Sequence, residues 1–157
     1  MVTAFSAVVN GGTLYEPSLV SRILTADGEV VETVEPKVVR ENVISAETSK
    51  TMCELLENVV AGGSGSKSYV AGYRVGGKTG TAQKYEEDGT VAQNKHITSF
   101  MGFAPVDDPK IVVLFLVDEA NAISDFGSTV AAPYVGQIIE ESLKYMGVEP
   151  KIGRAHV

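Results

Sequence analysis

The chain has 157 residues, enough for one ordinary domain with a hydrophobic core and short of two. Apolar residues make up 44% and charged residues 21%, a folding composition, and the net charge of −7 argues against nucleic acid or an anionic membrane surface as the main partner. No apolar run reaches the roughly 18 residues of a transmembrane helix, and no basic region leads into an apolar stretch at the N-terminus as a signal peptide requires.

Val2, Phe5, Val8 and Val9 recur at helical spacing, and Asn10-Gly11-Gly12 ends that helix in the manner of a left-handed cap. With no capping residue ahead of it, the helix reads as cut at its start. Leu19 to Leu24 and Val30 to Val34 flank Asp27-Gly28, a turn dipeptide that predicts a hairpin. Ser45 is placed to cap a helix running to about Ala61, with Glu47 in its first turn and Met52, Leu55, Leu56, Val59 and Val60 on one face. Cys53, the only cysteine, falls on the apolar side of that pattern and is assigned to packing; no internal disulfide is available to it, and two histidines beside one thiol do not make a structural zinc site.

Gly62-Gly63-Ser64-Gly65-Ser66 breaks the helix into a flexible loop, and the chain from Tyr73 to about Tyr85 reads as extended, followed by an acidic turn at Glu86-Glu87-Asp88-Gly89. His96 falls in a polar loop and is assigned to the surface. Ile97 to Ala104 and Ile111 to Val117 predict two more strands, reversed by Pro105-Val106-Asp107-Asp108-Pro109, and together the three strands predict an antiparallel meander. The last helix spans about Val130 to Met146, with Val135, Ile138, Ile139, Leu143 and Met146 on the stripe that packs on the sheet and Gly147 just past its end.

Lys78 carries the sharpest motif, in two versions. Gly72-Tyr73-Arg74-Val75-Gly76-Gly77-Lys78-Thr79 satisfies the phosphate-loop pattern, and Ile111 to Val117 followed by Asp118-Glu119 imitates the strand with a metal-binding acid that accompanies it. A phosphate loop needs a buried strand before its first glycine and a helix opening at Lys-Thr. Here a Gly-Ser loop comes before, and Gly80-Thr81-Ala82-Gln83-Lys84-Tyr85 shows no helical period, so a P-loop NTPase is the remote alternative and Asp118 and Glu119 are expected to be solvated at a strand end.

The other version is Lys78-Thr79-Gly80-Thr81, since Lys-Thr-Gly is one of three signatures of penicillin-binding proteins and class A β-lactamases. Residues Gly72 through Lys84 closely resemble the active-site strand of class B penicillin-binding proteins, the division and sporulation transpeptidases. Phe5 through Leu14 resemble the family's helix and turn before the hairpin, Ser99 through Pro105 with Asp108-Pro109-Lys110-Ile111 its next two strands, and Gly127 through Pro133 its last helix start. The resemblance implies an α/β fold of the α+β type, a penicillin-binding protein/β-lactamase-like transpeptidase fold with helices packed on an antiparallel sheet and its N-terminal half missing.

The resemblance also implies an activity: acyl transfer from a D-Ala-D-Ala stem peptide of peptidoglycan through a serine ester, with β-lactams as ligands and no metal or organic cofactor. Lys78 then supplies a cation for the substrate carboxylate and helps relay protons, while the Thr81 hydroxyl binds that carboxylate and its N–H completes the oxyanion hole. Thr79, Gly80, Thr81 and Gln83 make up the substrate-binding strand. Gly80 keeps it open for strand addition, Gln83 shares the face of Thr81, and Thr79 points away from the substrate by alternation.

No nucleophile is expected in this chain. Its only Ser-x-x-Lys is Ser64-Gly65-Ser66-Lys67, in the loop that leads to the active-site strand in the family, and no Ser-x-Asn occurs. Residues 1–150 are therefore expected to be the C-terminal part of a transpeptidase domain, inactive alone. Residues 151–157 are expected to be a non-native tail, in which Ile152 to Val157 matches a translated sequencing adapter. The parent is expected to be anchored by an N-terminal segment at the extracytoplasmic face of the membrane and to work with divisome or sporulation wall-synthesis proteins. The alternative class is a β-lactam sensor or an inactive scaffold homologue.

Overall fold

The computed structural model describes residues 1–120 and 126–151, the side chain of Asn94 excepted, so the predicted tail from Ile152 onward lies outside the described residues. The chain forms two compact units, Met1–Lys50 and Thr51–Val157.

In the first unit, α1 (Val2–Val9) ends where expected, because the Asn10 Oδ1 accepts the N–H groups of Gly12 at 3.2 Å and Thr13 at 2.9 Å. Gly12 is obligatory there: its φ is +99°, and a Cβ on it would stand 2.1 Å from the Ile44 carbonyl oxygen. β1 (Leu14–Tyr15) pairs antiparallel with β4 (Val38–Arg40), and β2 (Arg22–Leu24) with β3 (Val30–Thr33) around Gly28. The hairpin is shorter than the apolar runs predict. Every residue of β2 and β3 is exposed, so no buried face extends the pairing.

The helix α2 (Ala46–Ala61) starts on its predicted cap, with the Ser45 Oγ accepting the Thr48 N–H at 3.0 Å. Its first turns belong to the first unit, where the Ser49 hydroxyl donates to the Val8 carbonyl at 2.6 Å and accepts the Gly11 N–H at 3.0 Å. In the second unit, the buried positions of α2 are Cys53, Leu56, Glu57 and Val60. The predicted stripe is thus turned: Leu55 is exposed, Met52 and Val59 are only partly covered, and a carboxylate occupies an apolar-face position.

The second unit is built on the predicted meander, with β5 (Gly76–Tyr85), β6 (Val91–Ala104) and β7 (Ile111–Asp118) in the order β5-β6-β7, all antiparallel. β6 begins at Val91 rather than Ile97, because the acidic turn closes the β5–β6 hairpin directly. Gly89 takes φ +82°, and the Asp88 carboxylate accepts both the N–H and the hydroxyl of Thr90, which holds its pKa below the ordinary value. The first three residues of the predicted extended run, Tyr73 to Val75, precede the strand.

The last helix is two. α3 (Gly127–Val130) stops at Ala131, and α4 (Ala132–Tyr145) restarts with a proline in its first turn, where a missing N–H leaves no bond unmade. Its buried side is Ala132, Val135, Gly136, Ile139 and Leu143, whereas Ile138 and Met146 are exposed, contrary to expectation. Gly136 belongs to the buried side because a Cβ there would come within 3.1 Å of the Ser68 backbone, in the 3₁₀ turn Ser66–Ser68. Val135 and Ile139 pack with Val75, Phe100 and Ala104 in one core, joined by Ile111, Val113 and Phe115 from β7. Phe115 also stacks on Tyr134, with ring centroids 5.0 Å apart.

Gly77 marks how tightly β5 is seated, since a Cβ on it would lie 2.5 Å from the Phe100 ring and 2.7 Å from the Met101 carbonyl oxygen. Gly77→Ala is therefore expected to destabilise the protein by about 2 kcal/mol, the range of core overpacking. The check is a lower urea midpoint at an unchanged denaturant slope.

Candidate functional site

All five residues assigned to the site lie on β5, which among the described residues is an edge strand with one hydrogen-bonded neighbour and one free side. Across the ladder, Thr79 faces Phe100, Thr81 faces Thr98 and Gln83 faces His96, the side of the sheet on which Phe100 meets α4. Lys78 and Gly80 are paired with Met101 and Ser99 on the opposite side. Thr79 was expected to point away from the substrate by alternation, and the same alternation sets it on the face of Thr81. In a continuous strand, residues two apart share a face, so Thr79, Thr81 and Gln83 go together and Lys78 is the odd member.

The two faces converge at the free edge. The Lys78 side chain is exposed, and its Nζ donates around the edge to the Thr79 carbonyl at 3.1 Å and lies 3.5 Å from the Thr79 hydroxyl. An amine, two threonine hydroxyls and unpaired strand backbone thus meet along one border, which suits an extended anionic peptide added as a further strand. Thr81 and Gln83 are also exposed.

Behind this edge there is no room for side chains. A Cβ on Gly80 would stand 2.6 Å from the Ser99 Oγ, and one on Gly127, at the start of α3, would stand 2.3 Å from the Ser99 carbonyl oxygen and 3.3 Å from that of Gly80. Two glycines therefore let α3 close on the β5–β6 ladder directly behind the motif.

The entry to β5 is anchored by residues that the sequence pattern did not single out. The Arg74 Nε donates to Glu57 Oε1 at 2.7 Å, a second guanidinium nitrogen pairs with Oε2, and the Arg74 carbonyl accepts the Val106 N–H at 3.0 Å. The Glu57 carboxylate beside it raises the Arg74 pKa above its usual value, against the opposing effect of burial. A glutamate on an otherwise apolar helix face, with an arginine just before a strand, was the available signal.

At the far end of β5 the Lys84 Nζ donates to Asp118 Oδ1 at 2.9 Å and to Glu119 Oε1 at 2.6 Å. Hydrogen bonds to Glu119 first and Asp118 second raise the Lys84 pKa. Asp118 and Glu119 are exposed as expected, and they are also partners of this lysine.

The remaining candidates separate from the site. Ser64 sits in an exposed turn, and the following Lys67 reaches Thr129 Oγ1 at 3.4 Å; only the three-residue turn Ser66–Ser68 follows, where an active Ser-x-x-Lys needs a helix. His96 lies within β6 and is partly buried, not in a surface loop, because the hairpin carries the strand back to Val91. Cys53 is buried, and burial first, then the nearby Glu54, pushes its thiol pKa up, away from reactivity. Lys78-Thr79 continues as strand to Tyr85 with no helix opening, and β5 and β7 belong to an antiparallel sheet, so the phosphate-loop version is overturned.

Residues 1–140 match the penicillin binding protein transpeptidase domain, and the chain belongs to that family. Among named relatives, stage V sporulation protein D of Bacillus subtilis is 49% identical over 150 residues, covering 96% of this chain and 23% of that protein. A peptidoglycan D,D-transpeptidase FtsI homolog of Chlorokybus atmophyticus is 44% identical over 110 residues, 70% of this chain and 16% of that protein. The chain thus spans less than a quarter of these relatives.

Solved structures agree. Penicillin-binding protein 3 of Mycobacterium tuberculosis in complex with ampicillin superposes with a TM-score of 0.78 at 26% identity, over 98% of this chain and 36% of that one. The apo transpeptidase domain of Burkholderia pseudomallei penicillin-binding protein 3 gives 0.74 at 30% identity, over 97% of this chain and 43% of that one. The fold expected from the sequence, helices on an antiparallel sheet in the penicillin-binding protein manner, is the fold found.

Proposed function

We propose that residues 1–150 are the C-terminal part of the transpeptidase domain of a serine D,D-transpeptidase, an enzyme that cross-links peptidoglycan stem peptides and is acylated by penicillin. The observation that carries this proposal is Lys78-Thr79-Gly80-Thr81 on the free edge of β5, with the Lys78 amine wrapped to that edge.

The chemistry follows from that edge. A stem peptide ending in D-Ala-D-Ala lies along β5 as an added strand, its terminal carboxylate near the Lys78 ammonium and the Thr81 hydroxyl. A serine from the parent's Ser-x-x-Lys attacks the penultimate carbonyl, the oxyanion takes the Thr81 N–H, and terminal D-Ala leaves with a proton. An amine from a second stem peptide then attacks the ester and regenerates the serine. A β-lactam offers the same carboxylate and carbonyl, and it leaves the ester in place.

The parent acts at the extracytoplasmic face of the membrane, beside division or sporulation wall-synthesis proteins. A fluorescent penicillin tests the proposal on two samples. The complete parent protein is expected to retain the label through denaturation, and the purified 157-residue chain to stay unlabelled. Labelling of this chain at Ser64, or no labelling of the complete protein, overturns the proposal.

A further inference from the structure

Asp118 and Glu119, which imitate a metal-binding acid in the sequence, have another use. We propose that Lys84, Asp118 and Glu119 form a clamp that positions the Thr81–Gln83 edge of β5 for acylation, so that Lys84 is a positioning residue of the transpeptidase reaction; the inference rests on the activity proposed above.

Four observations lead there. Among the described residues β5 has one neighbour in the sheet, so its hydrogen-bonded ladder is with β6 only. The β5–β6 register shifts between Gln83 and Tyr85, so Lys84 sits at an irregularity of the ladder, about 10 Å along the strand from Thr81, before pairing resumes at Tyr85 and Val91. At that point the Lys84 amine reaches past β6 to β7, to Asp118 at 2.9 Å and Glu119 at 2.6 Å, a tie across the whole sheet. Glu119 adopts φ +52°, a left-handed conformation uncommon for glutamate, with its N–H on the His96 carbonyl at 3.0 Å.

An ordinary surface ion pair needs neither the backbone strain nor the span. The Lys84 side chain is 28% exposed against 64% for Asp118 and 47% for Glu119, so the cation is the sheltered member and the acids close over it. Their joint effect is to hold the edge strand at the point where its ladder with β6 is irregular. Lys84, held by Asp118 and Glu119, is placed to act through the strand.

The test uses the complete transpeptidase. Lys84→Met is expected to raise amide hydrogen exchange at Ala82, whose N–H faces β6 where that of Thr81 faces the free edge, about tenfold while leaving Gly76 and Lys78 unchanged. It is also expected to lower the acylation rate constant for a labelled penicillin about tenfold, with non-covalent affinity retained. Lys84→Arg, which can hold both carboxylates, is expected to restore both values, and Asp118→Asn with Glu119→Gln to reproduce the methionine effect. Exchange unchanged in Lys84→Met, or raised uniformly along β5 with a lowered unfolding midpoint, overturns the clamp. Exchange is read whether or not penicillin reacts, so absence of acylation in the unaltered protein counts against the activity and leaves the clamp to be judged by exchange.

Discussion

Lys78→Met in the complete transpeptidase is expected to slow acylation by penicillin about 10²- to 10³-fold, the loss that follows removal of one charge-stabilising group from an acyl-transfer site. Stability is expected to hold, because the Lys78 side chain is exposed and its hydrogen bonds among the described residues go to the neighbouring Thr79. The β5–β6 register at this position is carried by backbone. Lys78→Arg separates the two duties assigned to the amine. A guanidinium keeps the charge for the substrate carboxylate but does not give up a proton, so affinity is expected to recover while the acylation rate recovers only in part. The measurement is the labelled-penicillin time course over a concentration series, which resolves affinity from rate. Full activity in the methionine variant would remove Lys78 from the mechanism.

The meander, the capped helix over Ala46–Ala61 and the edge motif were legible in the sequence because each has a local signature: turn dipeptides, a capping serine, a Lys-Thr-Gly strand. Helix faces were less legible. Leu55 and Ile138 are apolar and exposed, while Glu57 and Gly136 are polar or small and buried, since burial there is decided by Arg74 and by the Ser68 backbone, which come from other elements. The same holds for the site. Lys78 to Gln83 are contiguous and were found together, but Lys84 with Asp118 and Glu119 required knowing that β5 and β7 flank one strand. Alternation alone leaves the orientation of Thr79 open, since Thr81 is an odd number of positions from Lys78 and an even number from Thr79.

Glu57→Gln is expected to destabilise the protein by about 3 kcal/mol, in the lower part of the range for breaking one member of a buried ion pair. Glu57 is nearly covered, with 11% of its side chain exposed against 27% for Arg74, so the guanidinium left behind is only partly rehydrated. The amide that replaces the carboxylate offers one acceptor oxygen where the bidentate pair uses two. The damage has a direction. Arg74 lies just ahead of β5, its carbonyl holds the Val106 N–H, and a Cβ on Gly76 would come within 3.2 Å of the Glu57 backbone nitrogen, so α2 and the start of β5 are fitted to one another there. Replacing both partners, Glu57→Leu with Arg74→Met, removes both charges and keeps the volume, and the pair is then expected to cost less than about 1 kcal/mol. A double-mutant cycle by urea unfolding measures this, with coupling carried by the difference between single and double variants. Additive losses in the two single variants would show that the pair fills space at the strand entry and that its charges contribute nothing of their own.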